Sequence, residues 1–179
     1  MSAWRALPGE SWRAMVLNPL RTGLTVLGIV LVVLIQATLL ARVRVLGASP
    51  NLLLVSTIAW GLLHTVGEGV VWAFAGGLGL DLITGMPLGT SSLAAMTAGL
   101  LTGLGRNRVF GNSLWWPIVV AALATPVYGW IVLLTLQLRG LPVDWVASTA
   151  RVIGPEVALN VAAMVLVYPV LRALTTHLR

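Results

Sequence analysis

Residues 22–174 form a succession of apolar runs broken by arginines, prolines and glycines. Runs of about 17–25 apolar residues match a bilayer hydrocarbon core of about 30 Å, because a helix rises about 1.5 Å per residue. They read as spans at 22–41, 50–66, 70–84, 87–104, 114–138 and 155–174. The second and third are short for that thickness, which leaves them little tilt or a locally thinned bilayer. With 58% hydrophobic and 9% charged residues, the chain is too apolar for a soluble domain, where about 25% charged is usual. The expected fold class is an all-α integral membrane protein with six transmembrane helices at 22–179. An N-terminal cytoplasmic or interfacial segment at 1–21 precedes them.

The basic residues supply the topology. All 11 are arginines, and they sit between apolar runs rather than on one stripe, which argues against nucleic acid as a partner. If the N-terminus is cytoplasmic, Arg5, Arg13, Arg21, Arg106, Arg108, Arg172 and Arg179 fall inside, against Arg42, Arg44, Arg139 and Arg151 outside. Seven against four places both termini inside by the positive-inside rule. Trp4, Arg5, Trp12 and Arg13 suit an amphipathic stretch in the headgroup plane, although Pro8-Gly9 interrupts it and a plain tail fits equally. Residues 1–21 do not read as a cleavable signal peptide, since the apolar core comes later. Trp115, Trp116 and Trp145 fit aromatic belts at the membrane surfaces.

Breaks between spans are expected at Gly67-Glu68-Gly69 and at Gly85-Met86-Pro87, where glycine and proline punctuate the pattern. Pro126 and Pro169 should bend the fifth and sixth spans. The residues from Arg139 to Gly154 form the longest loop, and Pro155 suits the first turn of the last helix.

Asp81 is the sole charge between Gly69 and Arg106. A carboxylate near the bilayer centre costs about 2.5–3.5 kcal/mol on insertion scales, so it should point into protein. Ala73, Gly77, Asp81, Gly85 and Gly89 recur every fourth residue and share a helix face. Ser91, Ala95, Gly99 and Gly103 repeat the spacing in the next span. Small-residue faces let membrane helices approach closely, so the third and fourth spans should form a close hairpin, with at least one ladder left for another partner. Pro87 and Gly89 belong to the turn between them.

Glu156 and Asn160, four apart, fall at a depth comparable to Asp81. Two readings stand: a small-ligand or ion site, or a helix N-terminus on which Glu156 complements the dipole while Asn160 bonds a neighbour. His64 and Glu68 lack a third metal ligand, and cysteine is absent. Ser91-Ser92 has no adjacent base and no nucleophile elbow. Gly76-Gly77-Leu78-Gly79 lacks the Lys-Ser/Thr of a phosphate loop. No catalytic residue, metal or cofactor is expected.

The run Pro50-Asn51-Leu52-Leu53-Leu54 through Trp60-Gly61, then Gly76-Gly77-Leu78-Gly79-Leu80-Asp81-Leu82-Ile83-Thr84-Gly85-Met86-Pro87-Leu88-Gly89 and the basic pair in Arg106-Asn107-Arg108-Val109-Phe110, resembles the bacterial rod-shape-determining MreD family over about residues 50–110. The resemblance implies a non-enzymatic scaffold subunit of the peptidoglycan elongation machinery in the bacterial inner membrane. Its partners would be MreC and, directly or indirectly, RodA, a class B penicillin-binding protein and MreB. It also implies a fold similar to the substrate-binding subunits of energy-coupling-factor transporters, but fold alone does not carry function. The competing function is a transporter subunit binding a vitamin-type ligand near Glu156, Asn160 and Asp81.

Overall fold

A computed structural model describes residues 19–40, 47–105 and 115–177. Trp4, Arg5, Trp12 and Arg13, for which an amphipathic stretch is one expectation, lie outside the described residues, as do Arg42, Arg44 and the basic pair at Arg106 and Arg108. All the regular elements described are helical. They are α1 (Pro19–Ile35), α2 (Leu52–Leu63), α3 (Val66–Thr84), α4 (Thr90–Leu101), α5 (Trp115–Leu138) and α6 (Gly154–His177). A π-helical turn, Gln36–Leu40, continues α1, and a 3-10 turn, Thr102–Gly105, continues α4.

Among the described residues, three helices are long and apolar enough to cross a membrane: Val66–Thr84, Trp115–Leu138 and Trp145–Thr175. The apolar helices Thr25–Thr38, Leu52–Leu63 and Thr90–Leu101 are shorter. Twelve residues of α2 reach about 18 Å, well under the thickness of a bilayer core.

The bundle is built around α2. Its sequence, LLLVSTIAWGLL, is apolar all round, the pattern of a helix enclosed by others. Residues 53–59 are buried, and α2 packs against α3, α4, α5 and α6. Leu54, Val55, Ile58 and Ala59 form the main core with Ala73, Ala94, Ala95, Ala98, Val120, Ala121, Ala124, Tyr128 and Met164. So many alanines bring the backbones close, which suits helices whose association depends on van der Waals contact. A second core of Ile29, Val33 and Trp72 attaches α1. There the Trp72 ring stacks on Trp60 at 4.6 Å between centroids, and its indole N–H donates to Ser56 Oγ at 3.2 Å.

Two expectations are corrected. Gly67-Glu68-Gly69 is not the break between the second and third spans, because α3 already begins at Val66. Thr65 is its N-cap, and the Thr65 hydroxyl accepts from the Glu68 backbone N–H at 3.1 Å. Gly69 is glycine for packing: a Cβ there would lie 2.8 Å from the Gly61 Cα. The third span therefore has 19 residues, enough for the bilayer core. Second, the stretch from Arg139 to Gly154 is helical from Trp145 onward. Asp144 caps that turn by accepting from the Ala147 N–H at 2.9 Å, and Thr149–Ile153 continues as a π-helical turn directly into α6. Pro126 and Pro169 lie within α5 and α6.

Candidate functional site: a polar network at the helix ends

Asp81 is fully buried on α3. One carboxylate oxygen accepts from the Gly89 N–H at 2.8 Å, and Ser91 N–H donates to both oxygens at 3.0 and 3.2 Å. These are the first backbone donors of α4, which have no carbonyl partner within their own helix. Gly89, the N-cap of α4, has φ 92° and no side chain to offer, so the cap comes from the preceding helix. Ser92 reinforces the hairpin by donating its hydroxyl to the Phe74 carbonyl at 3.1 Å.

The start of α2 is capped in the same way by other helices. Asn51 N–H donates to Asn160 Oδ1 at 2.6 Å, and Leu52 N–H donates to Gln36 Oε1 at 2.7 Å. Gln36 Nε2 donates in turn to the Pro50 carbonyl at 3.3 Å, while Asn51 Oδ1 caps its own helix by accepting from Leu54 N–H at 3.0 Å. The second side of Asn160 is also used, since Nδ2 donates to Thr125 Oγ1 at 3.1 Å. The Thr125 hydroxyl then donates to the Ala121 carbonyl at 2.8 Å. Asn160 and Thr125 are fully buried.

Tyr128 joins the two capped ends. It is buried on α5, its hydroxyl faces Ser91 and Asn51, and it lies within electrostatic reach of both Glu156 and Asp81. Glu156, partly buried at the first turn of α6, faces Asn160 and Asn51. Asp81, Glu156 and Asn160 are thus brought to one end of the bundle, with each polar contact directed at a helix end or at another member of the network.

The small-residue ladders lie mostly inside this chain. Ala73 and Ala95 are fully buried. A Cβ on Gly77 would stand 2.4 Å from both the Cα and N of Ser92, so α3 crosses the first turn of α4 with its backbone in contact. A Cβ on Gly99 would lie 3.5 Å from the Gly69 backbone, and one on Gly103 would lie 3.2 Å from a Val66 methyl. Gly85 has φ 69° and open space around it. It is exposed, while Pro87 and Gly89 are half-buried in the turn. Ala73, Gly77 and Asp81 consequently present nothing to a second chain. On other surfaces of α3 and α4, Phe74, Leu82, Leu93 and Leu100 are exposed.

His64 ends α2 and stacks on Trp60 at 4.2 Å, and Glu68 stands in the first turn of α3. Among the described residues no group of three His, Cys, Asp or Glu side chains could hold a metal ion. Sequence reasoning overlooked Gln36, Asn51, Thr125 and Tyr128. A usable signal existed for two of them. Asn51 stands directly before an apolar run, a helix-start pattern, and Tyr128 is a tyrosine inside an apolar span whose hydroxyl needs a partner.

No curated protein and no solved structure matches the chain. The family model described as rod shape-determining protein MreD matches residues 20–178, nearly the whole sequence, and the chain belongs to that family.

Proposed function

We propose that this protein is a six-span, non-enzymatic scaffold subunit of the rod-shape elongation complex in the bacterial inner membrane. On this reading residues 22–179 form the membrane domain, residues 1–21 lie at the cytoplasmic surface, and both termini are cytoplasmic. It binds MreC and through it helps to couple RodA and a class B penicillin-binding protein to MreB. Membership of the rod-shape family supports the role in cell shape. The observation that carries the scaffold reading is the use of Asp81. This buried carboxylate of α3 is bonded to the backbone of the next helix, a structural duty that occupies its oxygens.

A vitamin-type transporter subunit with a fold like that of energy-coupling-factor substrate-binding subunits is the competing reading. It needs an open cavity at Asp81, Glu156 and Asn160. Both sides of Asn160 bond other helices, and this favours the scaffold.

The test is co-expression with tagged MreC, followed by photo-crosslinking from Phe74, Leu82, Leu93, Leu100, Leu166 and Val170, all exposed apolar positions. The scaffold reading expects stable co-purification and crosslinks confined to one face. Failure to co-purify under conditions where each protein alone is monodisperse would refute it, and a thermal shift with a vitamin would transfer the support to the transporter.

A further inference from the structure

Helix α5 overshoots the buried core. Its buried residues end at Tyr128, and it runs ten more residues to Leu138, roughly 15 Å at 1.5 Å per residue. The last helix agrees. Trp145–Thr175 has 31 residues, or about 46 Å, some 16 Å beyond the bilayer core.

The overshooting part is apolar on its outside. Leu138 is 80% and Val146 81% exposed, and Leu134, Leu141 and Val152 are also exposed. Standing in water, this end would present an apolar patch without a function. Its polar groups are arranged otherwise. The indole N–H of Trp145 donates to Gln137 Oε1 at 2.8 Å and that of Trp130 to Thr149 Oγ1 at 3.3 Å, which pins the turn from Trp145 to Ile153 onto α5. Gly129 permits that approach, since a Cβ there would lie 2.7 Å from Ile153 Cδ1. The Asp144 side chain caps its own turn, while Arg139 and Arg151 are exposed cations on either side of it. The π-helical turn at Thr149–Ile153, followed by Pro155, is where a helix can change course from a span to the membrane plane.

We infer that residues 138–152 form a membrane-surface anchor, seated in the headgroup layer of a bilayer containing anionic lipid. Leu138, Leu141, Val146 and Val152 dip toward the acyl chains, and Arg139 and Arg151 meet lipid phosphates. Amphipathic turns bind such a surface by apolar burial combined with attraction to anionic headgroups, and tryptophans are enriched at this depth. The anchor fixes the height of α5 and α6 in the bilayer independently of any protein partner.

The natural chain has no cysteine, so single cysteines at Val146→Cys and Leu138→Cys can carry an environment-sensitive fluorophore in lipid nanodiscs. The expected result at both positions is blue-shifted emission, strong quenching by lipids with a nitroxide near the headgroup, and iodide quenching several-fold weaker than for the free dye. Adding phosphatidylglycerol to phosphatidylcholine should deepen the shift, and Arg139→Gln with Arg151→Gln should remove that increment. Iodide quenching equal to the free dye would overturn the anchor, as would protection from both quenchers, which would mean that protein covers the patch. A shift indifferent to anionic lipid in the parent chain would overturn the phosphate contact. None of these outcomes depends on MreC, so they are separable from a failure of the scaffold reading.

Discussion

Replacing Asp81 tests the capping network at its best-defined point. In Asp81→Ala, the N–H groups of Gly89 and Ser91 lose their acceptor in a place that is fully buried. A buried donor left without a partner costs about 1–3 kcal/mol. Interhelical polar contacts measured inside membranes average nearer 0.6 kcal/mol, because the unfolded chain in lipid also finds partners. Two orphaned donors, with the favourable charge at the α4 N-terminus removed as well, should therefore cost about 2–4 kcal/mol. Asp81→Asn keeps one acceptor oxygen but turns an amide N–H toward the second donor, so about half of that loss is expected, roughly 1–2 kcal/mol. The measurement is unfolding of the purified protein alone, by titrating a denaturing detergent into mild micelles and following tryptophan fluorescence. The order should be parent, Asn, then Ala. If Ala stays within about 0.5 kcal/mol of the parent, Asp81 does not hold α4. A variant that is stable alone but fails only in the presence of a partner would refute the internal assignment more directly.

Gly77→Ala places a methyl 2.4 Å from the Ser92 backbone. It should separate the α3–α4 hairpin at a cost of about 1–3 kcal/mol, read as earlier aggregation on size exclusion of the protein alone. Gly85→Ala has open space but must hold φ near 69°, so it should lose only about 1 kcal/mol in the same unfolding titration. Asn160→Leu removes the acceptor of the Asn51 N–H and the partner of Thr125. An unfolding loss of about 1–3 kcal/mol is expected, together with faster hydrogen exchange at Asn51. Trp72→Ala empties the contact with Ile29 and Val33 and should cost about 3–5 kcal/mol, with protease cleavage rising first in α1.

The α3–α4 hairpin and the inward Asp81 were legible because both follow from local facts: a four-residue spacing of small side chains and a lone charge that lipid would reject. The start of α3 is equally local, but its signals conflict. Thr65-x-x-Glu68 carries a helix-start signature, yet the two glycines beside Glu68 imitated a turn while serving as the contact with Gly61. Asn160 was visible only as a polar residue in an apolar run. Its bond to Asn51, 109 residues away, has no trace in either local pattern. Gln36 is the same case at a separation of 16 residues. The helical nature of Trp145–Ile153 was hidden behind Gly154-Pro155, which reads as a boundary although a π-helical turn carries the helix across it.

The short helices explain why the polar residues stand where they do. A backbone donor at a helix end within the bilayer has no water to bond, so it must be satisfied by protein. Helix α2 spans about 18 Å and is enclosed by its neighbours, so its first donors have to be met by side chains reaching from elsewhere. Gln36 arrives from the end of α1 and Asn160 from α6, while Asp81 of α3 performs the same task for α4. Each of these bonds fixes the height of one helix against another, which apolar packing cannot do because an alanine-lined interface tolerates sliding. The cost of placing Asp81, Asn160 and Gln36 among apolar helices is thereby offset by register. A bundle held in register in this way presents fixed outer surfaces to its surroundings, and fixed surfaces are what a subunit needs if it is to position other membrane proteins.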